Sequence, residues 1–197
     1  MNKLIVITDD VIRQDEVACW MEVLAAGVEK LHIRKPKTSR EDLRNLLNEV
    51  PLDWRKKLVI HYQAELAEEF ELDGLHVSFK DFSKYSTSKI PVSCSVHKWE
   101  EAREVIDDCA YCFISPVFDC ISKRGYFAND ELIHVPKELA GKKIYALGGV
   151  NAHNAAKALN NGYYGIATLG YIWGDEEKAN KKVKELLQSV SKEKTLV

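Results

Sequence analysis

The chain has 197 residues, 46% of them hydrophobic and 29% charged, with a formal net charge of −2. That length suits one domain with a sizeable core, and the near-neutral balance leaves no electrostatic footprint for nucleic acid or an anionic membrane. No run of eighteen apolar residues exists, MNKLIVITDD is too short an apolar start for a signal peptide, and five scattered cysteines fit reduced thiols in a cytoplasmic protein.

Eight short apolar runs, rich in β-branched residues, punctuate the chain: LIVIT (4–8), LHIR (31–34), LVIHY (58–62), GLHVS (74–78), PVSCSV (91–96), YCFISPVF (111–118), IYALG (144–148) and YGIAT (164–168). Between most of them, apolar residues recur at helical spacing, as in Val17, Trp20, Met21 and Leu24, or Ala179, Val183, Leu186 and Leu187. Strands that alternate with helices predict a parallel sheet, and near-continuous apolar strands predict cover on both faces. Eight such strands predict a single (β/α)8 TIM barrel across 1–197, with a frayed tail at about 192–197. The chain is short for that fold, so one or two helices should be shortened. The segments 80–89 and 123–141, poor in apolar periodicity or broken by Gly125 and Pro136, are the places expected.

In such a barrel, chemistry belongs at the C-terminal ends of the strands. Four of the six histidines (His32, His61, His76 and His97) fall at or near strand ends, at a similar depth. His97 follows a strand and opens the helix KWEEAREVI, which leaves two readings: a helix-capping histidine, or an acid/base group that exchanges a proton near neutral pH. Arg34 ends a buried run and suits a bidentate contact to phosphate or carboxylate, or a buried ion pair. Alternation turns His32 and His76 inward, as core or pocket-lining residues. Gly148-Gly149 after the seventh strand, with Thr168 and Gly170 after the eighth, predict a phosphate grip made of backbone N–H groups and a hydroxyl. Cys109-Ala-Tyr-Cys112 has no second CxxC or metal-spaced histidine pair, which argues against zinc there.

The ordered strand ends LIVITDD, LHIRK, LVIHYQAELA, DGLHVSFKD, SCSVHKWEEA, ISPVFDCISKRG, ALGGVNAHN and GIATLG resemble the thiamine phosphate synthase/TenI family over nearly the whole chain. The resemblance implies one of two reactions. Synthases join hydroxymethylpyrimidine diphosphate to thiazole phosphate and release pyrophosphate with Mg²⁺. TenI-like members are thiazole tautomerases, which aromatise a carboxythiazole phosphate without a metal, using a histidine that matches His97. Arg34, Ser122 and Lys123 match anion-binding positions. Asp81 matches one Mg²⁺-binding aspartate, but Tyr62 stands where the pattern places another, and Pro36 where it places a lysine. His32-Ile-Arg34 and Ser95-Val-His97 resemble the TenI-like branch more closely. The leading expectation is therefore a metal-independent tautomerase with no metal favoured. The alternatives are a Mg²⁺-dependent synthase that uses Asp81, and a non-catalytic or regulatory barrel that binds a phosphate ligand. Neither nucleic acid nor membrane is expected as a partner, and a homodimer is implied by the family alone.

Overall fold

The computed structural model describes residues 3–85, 87–119, 127–174 and 178–192. Eight parallel strands close into a barrel in sequence order: β1 (Leu4–Ile7), β2 (Lys30–Ile33), β3 (Leu58–His61), β4 (Gly74–Ser78), β5 (Val92–Val96), β6 (Cys112–Ile114), β7 (Ile144–Ala146) and β8 (Gly165–Thr168), with β8 pairing back to β1. The helices are α1 (Glu16–Ala25), α2 (Arg40–Glu49), α3 (Leu52–Arg55), α4 (Ala64–Glu69), α5 (Phe79–Phe82), α6 (Trp99–Val105), α7 (Ala155–Asn160), α8 (Gly170–Trp173) and α9 (Ala179–Lys192). The expected (β/α)8 barrel is what the chain forms. One expected short connection is the four-residue α5 followed by a 3-10 turn at Ser83–Tyr85. In the other, two 3-10 turns, Asp130–Leu132 and Lys137–Leu139, stand among the described residues before β7. The tail at 193–197 lies outside the described residues.

Period-two alternation separates two cores. Residues such as Leu4, Val6, Leu31, Ile33, Leu58, Ile60, Leu75, Val77, Cys94 and Ile114 belong to a large buried cluster with Trp20, Leu24, Leu47 and Leu66 of the helices. Their strand neighbours fill the lumen, where Ile5, Ile7, Tyr111, Phe113, Tyr145 and Ala167 form a separate cluster. The eighth strand leaves room for this filling because Gly165 is a glycine: a Cβ there would stand 2.5 Å from the Tyr145 ring.

The sixth run ends earlier as a strand than its apolar content implied. β6 stops at Ile114, and Pro116 follows two residues later with no N–H to donate to a ladder. Behind the strand ends, Lys35 is buried on the outer side. It pairs with Glu16 at 2.5 Å and Asp9 at 3.5 Å, and Glu16 also accepts from the Trp20 indole at 2.8 Å. A buried lysine needs such partners, since removing one leaves an uncompensated charge at a cost of about 3–5 kcal/mol. Lys35 is thus spent on holding α1 against the barrel.

Candidate active site

Register and alternation place the site. Val59 pairs with Gly74 and His61 with His76; His32 pairs with Val59, and His76 with Ser93. Residues two apart on a strand share a face. His32, His61, His76, Ser93 and Ser95 therefore all point into the lumen from β2 to β5. One rung higher, by the same parity, come Arg34, Ser78, His97 and Ser115, at the C-terminal mouth. This is where a (β/α)8 barrel presents its chemistry.

His97 is exposed at that mouth. Its ring Nδ1 lies 2.8 Å from the carbonyl oxygen of Ser115, and its backbone N–H donates to Glu101 Oε2 at 2.7 Å. A carbonyl can only accept, so Nδ1 carries the proton and Nε2 keeps its lone pair. The helix-cap reading concerns the neighbouring backbone: Lys98 is the N-cap of α6, with no capping bond from its side chain. The His97 ring is thus held through Nδ1, with no partner on Nε2 among the described residues.

Arg34 is half-buried, and among the described residues no side chain pairs with its guanidinium. The buried ion pair allowed for Arg34 in the sequence is therefore not formed among these residues; that pairing belongs to Lys35. Its backbone is fixed by Thr8, whose hydroxyl accepts from Arg34 N at 2.9 Å. Ser122 and Lys123 lie outside the described residues.

Gly148 and Gly149 have φ of 89° and 65°, a region that suits glycine. A Cβ on Gly148 would stand 2.7 Å from Pro116 Cα, and one on Gly149 2.3 Å from the Asp119 carbonyl oxygen. The loop after β6 packs onto the pair, so the chain itself requires both glycines, with or without a ligand. Among the described residues no acceptor pairs with the amides of Gly148, Gly149 or Gly170. The two turns are tied together by Thr168, whose buried hydroxyl donates to the Val150 carbonyl at 3.1 Å. Thr168 therefore acts first as a strut. The helix after the glycine pair begins at Ala155, after a turn in which Asn154 gives Nδ2 to Gly149 O at 2.9 Å and accepts from Asn151 N.

His32 and His76 are buried, as alternation predicted, and half-buried His61 stands beside them. His32 Nδ1 lies 3.2 Å from His61 Nε2, and His32 Nε2 lies 2.7 Å from Tyr111 Oη. His76 Nδ1 meets Ser93 Oγ at 2.8 Å and its Nε2 meets Ser95 Oγ at 2.7 Å. Burial, the first cause, and then the neighbouring imidazoles hold His32 well below the usual histidine range. Burial, His76 and Arg34 do the same for His61, and burial alone lowers His76 to about 3. Sequence reasoning left His61 out of the site. The signal that could have found it is its equivalent depth to His76, which the barrel register turns into direct pairing.

Asp81 and Tyr62 complete the positions named from sequence. Asp81 accepts from the Ser78 hydroxyl at 2.8 Å and pairs with Lys84 at 2.6 Å; the Lys84 and Ser78 hydrogen bonds hold its carboxyl below the usual range. Tyr62 is exposed, with φ of 61°. A cavity of about 250 Å³ lies at the opposite end of the barrel, lined by Lys30, Asp73, Ser93, Tyr111, Lys143 and Tyr145, remote from the strand ends that carry His97.

Residues 4–172 match the family model for thiamine monophosphate synthase. The chain belongs to the thiamine monophosphate synthase/TenI family. It is 31% identical over 130 residues to a thiamine-phosphate synthase of Helicobacter pylori (strain Shi470), covering 61% of this chain and 58% of that one. It is 30% identical over 146 residues to a thiamine-phosphate synthase of Bacillus cereus (strain ATCC 10987 / NRS 248), covering 70% of this chain and 64% of that one. The matched stretches thus span less than two thirds of those relatives. Among solved structures, thiamine phosphate pyrophosphorylase from Bacteroides thetaiotaomicron superposes with a TM-score of 0.82 and 28% identity over 96% of this chain and 98% of that one. The Pyrococcus furiosus thiamine phosphate pyrophosphorylase shares the fold, with a TM-score of 0.77, 23% identity and 96% of each chain covered.

Proposed function

We propose that this chain is an enzyme of thiamine biosynthesis that binds a thiazole phosphate, and that its reaction is the metal-independent tautomerisation of a carboxythiazole phosphate to its aromatic form. The observation that carries this reading is His97: its Nδ1–H is engaged with Ser115 O, so a basic Nε2 is held at the barrel mouth. Tautomerisation moves one proton between two ring positions, and a single imidazole can take it from one and return it to the other. Aromatisation supplies the driving force. Anchoring the phosphate on the amides of Gly148, Gly149 and Gly170 would fix the ring against that nitrogen, which is the entropic part of the catalysis. Arg34, with no partner among the described residues, would take the substrate carboxylate.

A second reading, the Mg²⁺-dependent synthase, is favoured by the names of the relatives and of the Bacteroides structure. The donor set argues against it. Mg²⁺ needs hard anionic oxygens. Here one of the two positions holds the neutral phenol of Tyr62, and the other holds Asp81, already engaged by Lys84 and Ser78. Those residues do not fit the ion.

The test is a paired assay of both reactions, with and without Mg²⁺. The expected outcome is conversion of the carboxythiazole phosphate in chelator, followed by ultraviolet absorbance, and a fall of about 10²–10⁴-fold in His97→Ala with little change in Asp81→Ala. Mg²⁺-dependent pyrophosphate release abolished by Asp81→Asn would establish the synthase instead. Binding of thiazole phosphate with neither turnover would leave a non-catalytic binder.

A further inference from the structure

Ligand nitrogens of His32, His61 and His76 all lie within 4.8 Å of one another, in the lumen one rung below the mouth. Among the described residues they form the one cluster of ligating side chains close enough to share an ion. We infer that these three imidazoles constitute a binding site for a single borderline divalent transition cation, of which Zn²⁺ is the best fit, separate from the thiazole phosphate reading and from any Mg²⁺ at Asp81.

The distances come first. Zn–N bonds of about 2.0–2.1 Å at tetrahedral angles set ligand nitrogens about 3.4 Å apart. His32 Nδ1 and His61 Nε2, at 3.2 Å, already stand at that spacing. His76 places a ring nitrogen within 4.8 Å of the ligand atoms of the other two.

The outer contacts then fix which nitrogen is free. Ser93 Oγ donates to the Leu75 carbonyl at 3.2 Å, so toward His76 it accepts, and Nδ1 of His76 carries the proton. That leaves the lone pair on Nε2, now held by the Ser95 hydroxyl, which rotates away when a cation arrives. On His32, Tyr111 Oη at 2.7 Å can accept from Nε2–H, which leaves Nδ1 as the ligand. Metal-binding histidines characteristically have their second ring nitrogen hydrogen-bonded in this way, which orients the ring.

Donor chemistry selects the ion. Three neutral imidazoles present nitrogen donors with no carboxylate, a set suited to Zn²⁺, Co²⁺ or Ni²⁺ and not to Mg²⁺ or Ca²⁺. The alternative is a purely hydrogen-bonded polar packing of the lumen. In that alternative His61 Nε2–H donates to His32 Nδ1 across 3.2 Å, and metal titration separates the two. Three nitrogen ligands leave a fourth position for water or for a ligand oxygen.

The test uses the full chain, stripped with chelator and titrated with Co²⁺ and then Zn²⁺. One equivalent of Co²⁺ should give the intense visible bands of a four- or five-coordinate nitrogen site. Zn²⁺ should displace it and raise Tm. His61→Ala, at a half-exposed position that the fold tolerates, should weaken binding by about 100-fold or more. Tyr111→Phe, which keeps the ring volume, should weaken it by about 10–100-fold. His153→Ala, at an exposed position, should bind as the wild type does. Absence of the Co²⁺ bands overturns the inference, and so does equal affinity in wild type and His61→Ala.

Discussion

Strands β6, β7, β8 and β1 fill their share of the lumen with Phe113, Tyr145, Ala167, Ile5 and Ile7, whereas β2 to β5 fill theirs with His32, His61, His76, Ser93 and Ser95. The first half is buried throughout, His61 and Ser95 of the second are half-buried, and the two halves are held by different forces. In the first half, aromatic rings meet edge to face, as Tyr111 and Tyr145 do at 5.5 Å, and the stabilisation is area removed from water. In the second, each buried ring forgoes solvation and recovers it through neighbours on the next strand, so the gain per residue is small and the penalty for losing a partner is large. A barrel needs only apolar filling to stand. The polar half lies directly beneath Arg34 and His97.

The largest expected effect breaks the apolar half. Phe113→Ala removes a fully buried ring between His32, His76, Tyr111 and Tyr145, and should cost about 3–5 kcal/mol in urea unfolding. Because no ionisable group is lost, the deficit should be nearly constant between pH 8 and pH 5. A deficit below about 1 kcal/mol would mean that the ring is not part of the packed lumen described.

A smaller effect, of a different kind, is expected on the polar side. His76 has its folded pKa lowered to about 3 by burial, against about 6.5 when unfolded. The unfolded chain therefore takes up a proton as pH falls through about 6.5, while the folded chain does not. The stability contributed by the neutral ring is fully present above that pH and is lost as pH falls toward the folded value, at roughly 1 kcal/mol per pH unit. His76→Leu should be destabilised at pH 7, since Ser93 and Ser95 lose their partner, yet lose less stability than the wild type between pH 6.5 and pH 4.5. Parallel stability–pH curves for the two proteins would refute the buried neutral ring.

The two halves were also unequally legible. The strands were readable because apolar β-branched runs such as LIVIT and GLHVS leave few alternatives, and the inward turn of His32 and His76 follows from period two. The triad was not, because His61 meets His32 only through the offset that closing a barrel imposes: His32 pairs with Val59, and His61 lies one rung further. No single strand carries that offset. The glycine pair was seen for an incomplete reason. Its place after β7 was plain, but the atoms that forbid a side chain belong to Pro116, Phe118 and Asp119, some thirty residues earlier in the chain. Lys35 lay beside Arg34 in a cationic cluster, and only alternation across the strand end separates the mouth-facing guanidinium from the ammonium locked to Glu16.

The smallest prediction sharpens the contrast at its rim. Tyr62 and Glu71 are the two described non-glycine residues with positive φ, at 61° and 48°. A side chain in that conformation costs about 1–2 kcal/mol, part of which glycine recovers and part of which it returns as unfolded-chain entropy. Both Tyr62→Gly and Glu71→Gly should therefore stabilise by no more than about 1 kcal/mol. They should differ in function. Tyr62 follows His61 at the C-terminal edge of β3, with its N–H on the His76 carbonyl at 3.1 Å and its ring in solvent at the mouth. Glu71 sits before β4, at the opposite end of the barrel, with its carboxylate on Lys56. In the carboxythiazole phosphate assay Tyr62→Gly should raise KM while Glu71→Gly leaves it unchanged. Equal behaviour of the two variants would mean that the strained turn at Tyr62 serves the chain path alone, and that the polar half ends at His61.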